Sequence, residues 1–370
     1  MLFKLTNQQR RYLGLTPVEA LWDEVVWGET KFNETIVLYF SGDKLVKRIT
    51  VGEDIYHELD VSELTAENRT IVLPKTAKGK PGKLNYTALY RMNGIGVYFY
   101  FGHGAVQIAN YSAQTTFYSS RWDQEKIEGL KGLEKWLDRW ISDTSENDLI
   151  DINLFKSSIR QHCRYKEGDF FASKSGRRQY SFGRILLDVI RVRKSIGNGE
   201  LKEKHYGLMR LMGKPLIVNM YKKTSHTMDV DLNELKQCEF LFSQAIMDNV
   251  FYYGEFKILG NQPLEPYELE FPVSCCVTNR DLVYLQYGLI YKETHFSEYS
   301  RFLEDPDKEG PLPVNTFRNE GIGFALLPSL PVSDLRHPNN AEIKREIFEH
   351  FGLDAGKSYY ENYMEYQRTK

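Results

Sequence analysis

Residues Tyr165–Arg193 read YKEGDFFASKSGRRQYSFGRILLDVIRVR, and the folding of this stretch decides the architecture of the middle of the chain. Aromatic and aliphatic residues flank a Gly-Arg-Arg step, the pattern of two paired strands around a tight turn. A two-residue loop at Gly176-Arg177 suits a type II′ turn, which favours Gly at its first central position. That register opposes Ser175 to Arg178, Ser173 to Tyr180, Phe171 to Phe182 and Asp169 to Arg184. The last three pairs share one side of the sheet, because side chains alternate along a strand. A four-residue loop from Ser175 to Arg178 keeps the register, whereas a loop at Ser175-Gly176 breaks it. Asp169 and Arg184 are therefore expected to form a cross-strand ion pair. Such a pair carries no nucleophile and no titration near neutral pH, so its role is structural. The continuation ILLDVIRVRK is apolar on both faces as far as Arg191, which predicts a central strand of a strongly bent sheet or small barrel.

Outward from the hairpin, strands dominate. NETIVLYFSGDKLVKRITV gives two strands around Ser41-Gly42-Asp43, and RTIVLPK and GIGVYFYFGHGAVQIANYS add more. A helix follows, with Ser119 or Ser120 as cap and Ile127, Leu130, Leu133, Trp136, Leu137, Trp140 and Ile141 at spacings of three and four. The polar run SDTSENDLID after it reads as a linker, and a short helix is expected around Leu154 to His162. GKPLIVNMYKK, NVFYYGEFKILG and DLVYLQYGLIYKE read as further strands, with a short helix in DLNELKQC. The last 70 residues begin with the Pro/Gly-rich EDPDKEGPLPVN. They end in two helices, NAEIKREIFEHFG, stopped by Gly352, and KSYYENYMEYQR, whose Tyr359, Tyr360, Tyr363 and Tyr366 are expected to pack on their own domain.

A chain of 370 residues exceeds one comfortable core, so two strand-rich domains are expected. The 24 Tyr and 21 Phe favour strands over helices. Four cysteines, two of them adjacent, fit a reduced compartment better than a disulfide framework. The first residues are too poor in apolar side chains for a signal peptide, and no run approaches a membrane span. A cytoplasmic protein with no membrane partner is the expectation.

The hairpin carries a resemblance. KEGDFF followed by RRQYSFGRILLD resembles the opening of the Immunity protein 26 family of bacterial polymorphic toxin loci. Gly168-Asp169 stands where that family has a Gly-Asp pair before hydrophobics, and Tyr180-Ser181-Phe182-Gly183-Arg184 matches its Gly-Arg strand. YYGEFKILGNQPL and VYLQYGLIYKE resemble its closing strands, so the resemblance spans about residues 164–293. LPKTAKGKPGKL and NYSAQTTFYSS resemble an extension of longer members, and the last 70 residues resemble nothing named. The resemblance implies binding and neutralisation of a cognate toxin effector domain, and it brings no catalytic residues. Some members carry a phosphotriesterase-like label, which keeps a hydrolase open.

Sites of chemistry are sparse. The eight histidines show no His-x-His or His-Glu-x-x-His, and there is no Cys-x-x-Cys, so no metal and no cofactor is expected. Cys275-Cys276 reads as small buried residues, and His162-Cys163 is a poor thiolate–imidazole pair. GIGVYFYFGHG lacks the Lys-Ser/Thr of a phosphate loop, so its glycines read as turns and bulges. Residues 151–205 carry 13 basic against 6 acidic side chains, and Lys75, Lys78, Lys80 and Lys83 crowd one loop. Such a face could meet nucleic acid or an acidic protein surface, yet no nucleic-acid motif accompanies it.

These readings combine into an α+β chain whose strand-rich domains are mostly antiparallel. The expected divisions are 1–145, ending in an amphipathic helix; 146–300, the immunity-like domain; and 301–370, a helical extension. The leading function is non-catalytic, stoichiometric neutralisation of a toxin domain. A phosphoester or phosphotriester hydrolase and a nucleic-acid-binding module are the alternatives. Arg177, Arg178, Tyr180, Arg191 and Arg193 are the expected partner contacts, Asp169 and Arg184 the structural pair. The oligomeric state is left open.

Overall fold

The computed structural model describes residues 2–29, 33–278, 282–303 and 317–369. The chain forms two compact units. The first holds residues 1–163 with 174–178 and 253–255; the second holds 164–173, 179–252 and 256–370.

In the first unit, α1 (Asn7–Tyr12) precedes β1 (Asp23–Glu29), β2 (Thr35–Ser41), β3 (Lys44–Val51) and β4 (Ile55–Ala66). Then come β5 (Ile71–Val72), β6 (Gly82–Lys83), α2 (Tyr86–Arg91), β7 (Ile95–Gly102), β8 (Ala105–Asn110), β9 (Thr115–Ser119), α3 (Gly129–Ser142) and α4 (Glu146–Lys156). The antiparallel sheet runs β1-β2-β3-β4-β7-β8-β9, with β5 and β6 beside β4. Both faces are covered, so successive residues of β2 are buried on opposite sides. Val37 and Tyr39 join a core with Leu133, Trp136, Leu137 and Trp140 of α3; Ile36, Leu38 and Phe40 join one with Leu84 and Leu89. Inside the first core, Glu58 takes Arg10 Nε at 2.7 Å and Lys47 Nζ at 2.9 Å, all three buried.

The polar run expected as a linker is instead the start of α4. Ser145 accepts the amide of Asp148 while Asp148 accepts the amide of Ser145, a reciprocal cap that turns polar residues into a helix signal. The helix ends at Lys156, and residues 158–166 are not helical, against the expectation for Leu154 to His162. Nor does Ser119 or Ser120 cap α3, which starts after Glu128; the Ser120 hydroxyl accepts the amide of Val106 instead.

The second unit contains β10 (Asp169–Gly176) except its last three residues, β11 (Gln179–Asp188), α5 (Val189–Gly197), α6 (Tyr206–Arg210), β12 (Pro215–Ser225), α7 (Leu232–Lys236), β13 (Gln244–Met247), α8 (Asn249–Tyr252) and β14 (Lys257–Asn261). They are followed by β15 (Val273–Thr278), β16 (Leu282–Tyr287), β17 (Ile290–His295), α9 (Ala341–His350) and α10 (Tyr359–Arg368). One open sheet runs β13-β12-β11-β10-β14 and a second β15-β16-β17, so the α+β class is borne out and the barrel alternative is not. NVFYYGEFKILG, expected as one strand, divides into α8 and β14. Ile347 and Phe348 of α9 and Tyr359 and Tyr366 of α10 are buried with Val273, Leu285 and Ile290. The tyrosines of the tail do pack on their own unit: Tyr366 donates to the carbonyl of Tyr291 at 2.9 Å, and Tyr359 accepts the amide of Leu289.

Candidate functional site

The hairpin turns one residue later than the sequence suggested. Gly176 stays in β10 with φ outside the left-handed region, and Arg177-Arg178 form the two-residue turn. A type II′ turn would need Gly176 at positive φ. Both arginines are engaged in the first unit. The Arg177 guanidinium lies 3.7 Å from the centroid of the Trp140 ring and donates to the Trp140 carbonyl and the Thr144 hydroxyl. Arg178 grips both oxygens of Asp148, with Nε at 2.8 Å from Oδ1. Although burial works against it, that grip and the caps from Ser145 hold the Asp148 carboxyl well below the usual carboxylate range.

Asp169 and Arg184 do not meet as the expected pair. Asp169 accepts the amide of Lys166 at 2.7 Å and the side-chain amide of Asn261 at 2.8 Å, closing the turn that opens the hairpin. Arg184, fully buried, places Nη1 3.0 Å from Oε1 of Glu268, a charge contact without hydrogen-bond alignment. Its Nη2 donates to the carbonyls of Gln262 and Pro263, each at 2.8 Å, and its guanidinium carbon lies 3.9 Å from the centroid of the Phe170 ring. The later turn and the distant Glu268 explain the difference, since pairing arithmetic within a hairpin cannot anticipate a carboxylate from another segment.

ILLDVIRVRK is not one strand either. The Asp188 carboxylate accepts the amides of Ile190 and Arg191, and helix α5 begins there with Val189 and Val192 buried. The signal was an Asp followed by apolar residues at helical spacing, masked by their β-branched identity. Arg193 is thereby carried onto the end of α6, where it donates to the carbonyls of Leu208 (2.9 Å), Leu211 and Gly213 (2.8 Å). Arg191 keeps 71% of its side chain exposed beside Glu167, and Tyr180 packs half-buried near Phe170 and Tyr221. Arg177, Arg178 and Arg193 are thus each engaged by partners within their own unit, with half of the Arg178 side chain still exposed.

The residues that the sequence did not single out lie at the other edge of the sheet. Phe317 bridges Cys275 of β15, and the chain then reaches β13 at Gly323 and Ala325. Gly323 donates to the carbonyl of Ala245 at 3.0 Å, and the Gln244 side chain both donates to the Ala325 carbonyl and accepts its amide, each at 2.8 Å. Between this segment and β13 opens a cleft of about 450 Å³, within the range of natural ligand sites. Phe242, Phe324 and Leu327 stand at its rim, Leu327 70% exposed. In its floor Arg336 bridges Asp334 (2.9 Å) and Glu270 (2.7 Å) and donates to Ser243.

Elsewhere, burial pushes the Cys275 thiol up to about 12 and the Cys276 thiol up as well, so neither is a thiolate at neutral pH. Among the described residues no cluster of His, Cys, Asp and Glu could hold a metal ion, and no helix is long and apolar enough to cross a membrane.

Residues 166–281 match the family model of Immunity protein 26. The resemblance read from the hairpin is borne out over that stretch, which covers β10 through β15. Beyond the Immunity protein 26 region, the structure adds α9 and α10 to the same unit, and one wall of the cleft belongs to the matched stretch while the other follows it. No curated protein and no solved structure matches the chain.

Proposed function

We propose that this protein binds a cognate bacterial toxin domain and neutralises it in a stoichiometric complex, without catalysis. The Immunity protein 26 match, which points to a toxin-immunity role, is the observation that carries this reading. The chemistry of the hairpin supports it. Its charged residues are held by intramolecular partners, and the buried Arg184–Glu268 contact carries no hydroxyl, thiol or amine nucleophile. Arg191, the most exposed of the expected contacts, is suited to the rim of an interface, where charge governs encounter rate more than affinity.

The test is co-expression and co-purification with the toxin domain encoded at the neighbouring locus. A one-to-one complex that suppresses toxicity is expected. Failure to bind any of several candidate toxin domains, with the protein folded, would refute the reading.

A further inference from the structure

We infer that the face of the first unit around Arg48 docks an acidic side chain of the toxin domain, whose carboxylate closes on the Arg48 guanidinium. The inference rests on the proposed function and assigns it a contact outside the Immunity protein 26 stretch. The first observation is a buried charge without its counter-charge. Three arginines are buried among the described residues: Arg10, Arg48 and Arg184. Arg10 has Glu58 at 2.7 Å and Arg184 has Glu268 at 3.0 Å, but Arg48 forms no ion pair among the described residues. Its Nη1 donates to the Leu89 carbonyl, its Nε is buried without an acceptor, and its Nη2 donates to none of the described residues.

Burial presses both Arg10 and Arg48 down. Glu58 more than offsets this at Arg10, whereas Arg48 stays below its ordinary value. The Glu34 carboxylate, near enough for Arg48 to feel it, accepts the Tyr90 hydroxyl instead. A guanidinium keeps its charge, and one held out of water is stabilised by a carboxylate brought to it. Nε and Nη2 form one edge of the group, the geometry that takes a carboxylate through two parallel hydrogen bonds.

The surroundings supply the second observation. Arg48 pairs across strands with Leu59 and His57 with Tyr100, so Arg48, His57, Tyr98 and Tyr100 share one side of the sheet. His57, pressed down to about 3 by burial and by the Arg48 charge, is uncharged at neutral pH and adds no second cation. Its Nε2 lies 3.5 Å from the Tyr111 hydroxyl, and the Tyr111 and Tyr98 ring centroids are 4.2 Å apart. The Tyr90 ring centroid is 5.5 Å from the Arg48 guanidinium carbon; Tyr90 is 42% exposed and Tyr111 36%. One unneutralised cation among neutral phenols matches a single carboxylate. Exposed tyrosines beside an arginine are the composition of interface hot spots, which makes a protein side chain the fitting source of that carboxylate.

Isotope-labelled arginine in the full chain gives the direct readout: the Nε–H resonance of Arg48, assigned by its absence from Arg48→Lys. Two probes are used, the neighbouring-locus toxin domain and a capped Gly-Glu-Gly peptide, with Gly-Gln-Gly as the control. Arg48→Met removes the charge and keeps an unbranched chain, and its circular dichroism and tryptophan fluorescence verify the fold.

The Arg48 resonance should shift in the toxin complex and with the Glu peptide, and not with the Gln peptide. Arg48→Met should weaken the toxin complex at least tenfold. A saturated toxin complex that leaves the resonance in place overturns the inference and leaves the proposed function intact, as does binding by folded Arg48→Met within twofold of wild type. Should Arg48→Met not fold, the resonance in the wild-type complex decides alone. Failure of every toxin domain to bind removes the function instead; a shift with the Glu peptide then still supports the carboxylate site, and its absence overturns it.

Discussion

Arg184 Nη1 stands 3.0 Å from Glu268 Oε1, with both side chains at most 1% exposed, and this contact ties the β10–β11 hairpin to the turn that follows β14. Two charges out of water are tolerated only together, so removing one strands the other at a cost of about 3–5 kcal/mol. Glu268→Gln should destabilise the second unit by that order in urea unfolding followed by circular dichroism. A loss below about 1 kcal/mol would mean that water already reaches the guanidinium.

Asp169 should behave differently. Its carboxylate closes a turn through two hydrogen bonds, so Asp169→Ala should cost about 1–3 kcal/mol and leave the proposed toxin binding by the folded protein unchanged. In double-mutant cycles its coupling to Arg184 should fall within about 0.5 kcal/mol of zero, while the Arg184–Glu268 coupling is several times larger. A strong Asp169–Arg184 coupling would restore the cross-strand pair that the hairpin pattern suggested.

The contrast between these two predictions marks the boundary of what the sequence revealed. Local signals were legible: the turn at Gly42-Asp43, the stripe of Leu133, Trp136, Leu137 and Trp140, and the stop of α9 at Gly352, which takes φ +64°. The Gly168-Asp169 opening was legible as a family signature as well. Partners set by the fold were not, because Glu268, Trp140 and Asp148 approach the hairpin arginines from segments with no pattern linking them. The cleft was hidden for another reason. Its outer wall, GIGFALLPSLP, has neither period and carries two prolines, so it reads as a loop until β13 is seen beside it.

At the hairpin tip, the prediction concerns charge reversal. Arg178→Glu would set a carboxylate against Asp148, breaking the Asp148 grip and adding like-charge repulsion at the start of α4. A loss of about 1–3 kcal/mol is expected, with a melting temperature several degrees lower. All five tryptophans lie in the first unit, so their fluorescence reports this change directly. A variant that melts like wild type yet no longer shows the proposed toxin binding would instead make Arg178 a partner contact.

Glu58 supplies a pH dependence. Burial alone would raise its carboxyl, but Lys47 and Arg10 outweigh that and hold it below its ordinary value. A carboxylate depressed in the folded state binds its proton more readily in the unfolded chain, whose value is about 4.3. Its contribution is therefore fully present above that pH and is lost as the pH falls through the folded value. Urea midpoints read by tryptophan fluorescence should be flat from pH 7 to about pH 5 and then drop. Glu58→Gln, which leaves Lys47 and Arg10 facing a neutral group, should start lower by about 3–5 kcal/mol and show a shallower drop. If wild type and Glu58→Gln lose stability in parallel down to pH 3, the acid sensitivity belongs to other carboxylates and the buried Arg10–Glu58–Lys47 cluster does not titrate in that range.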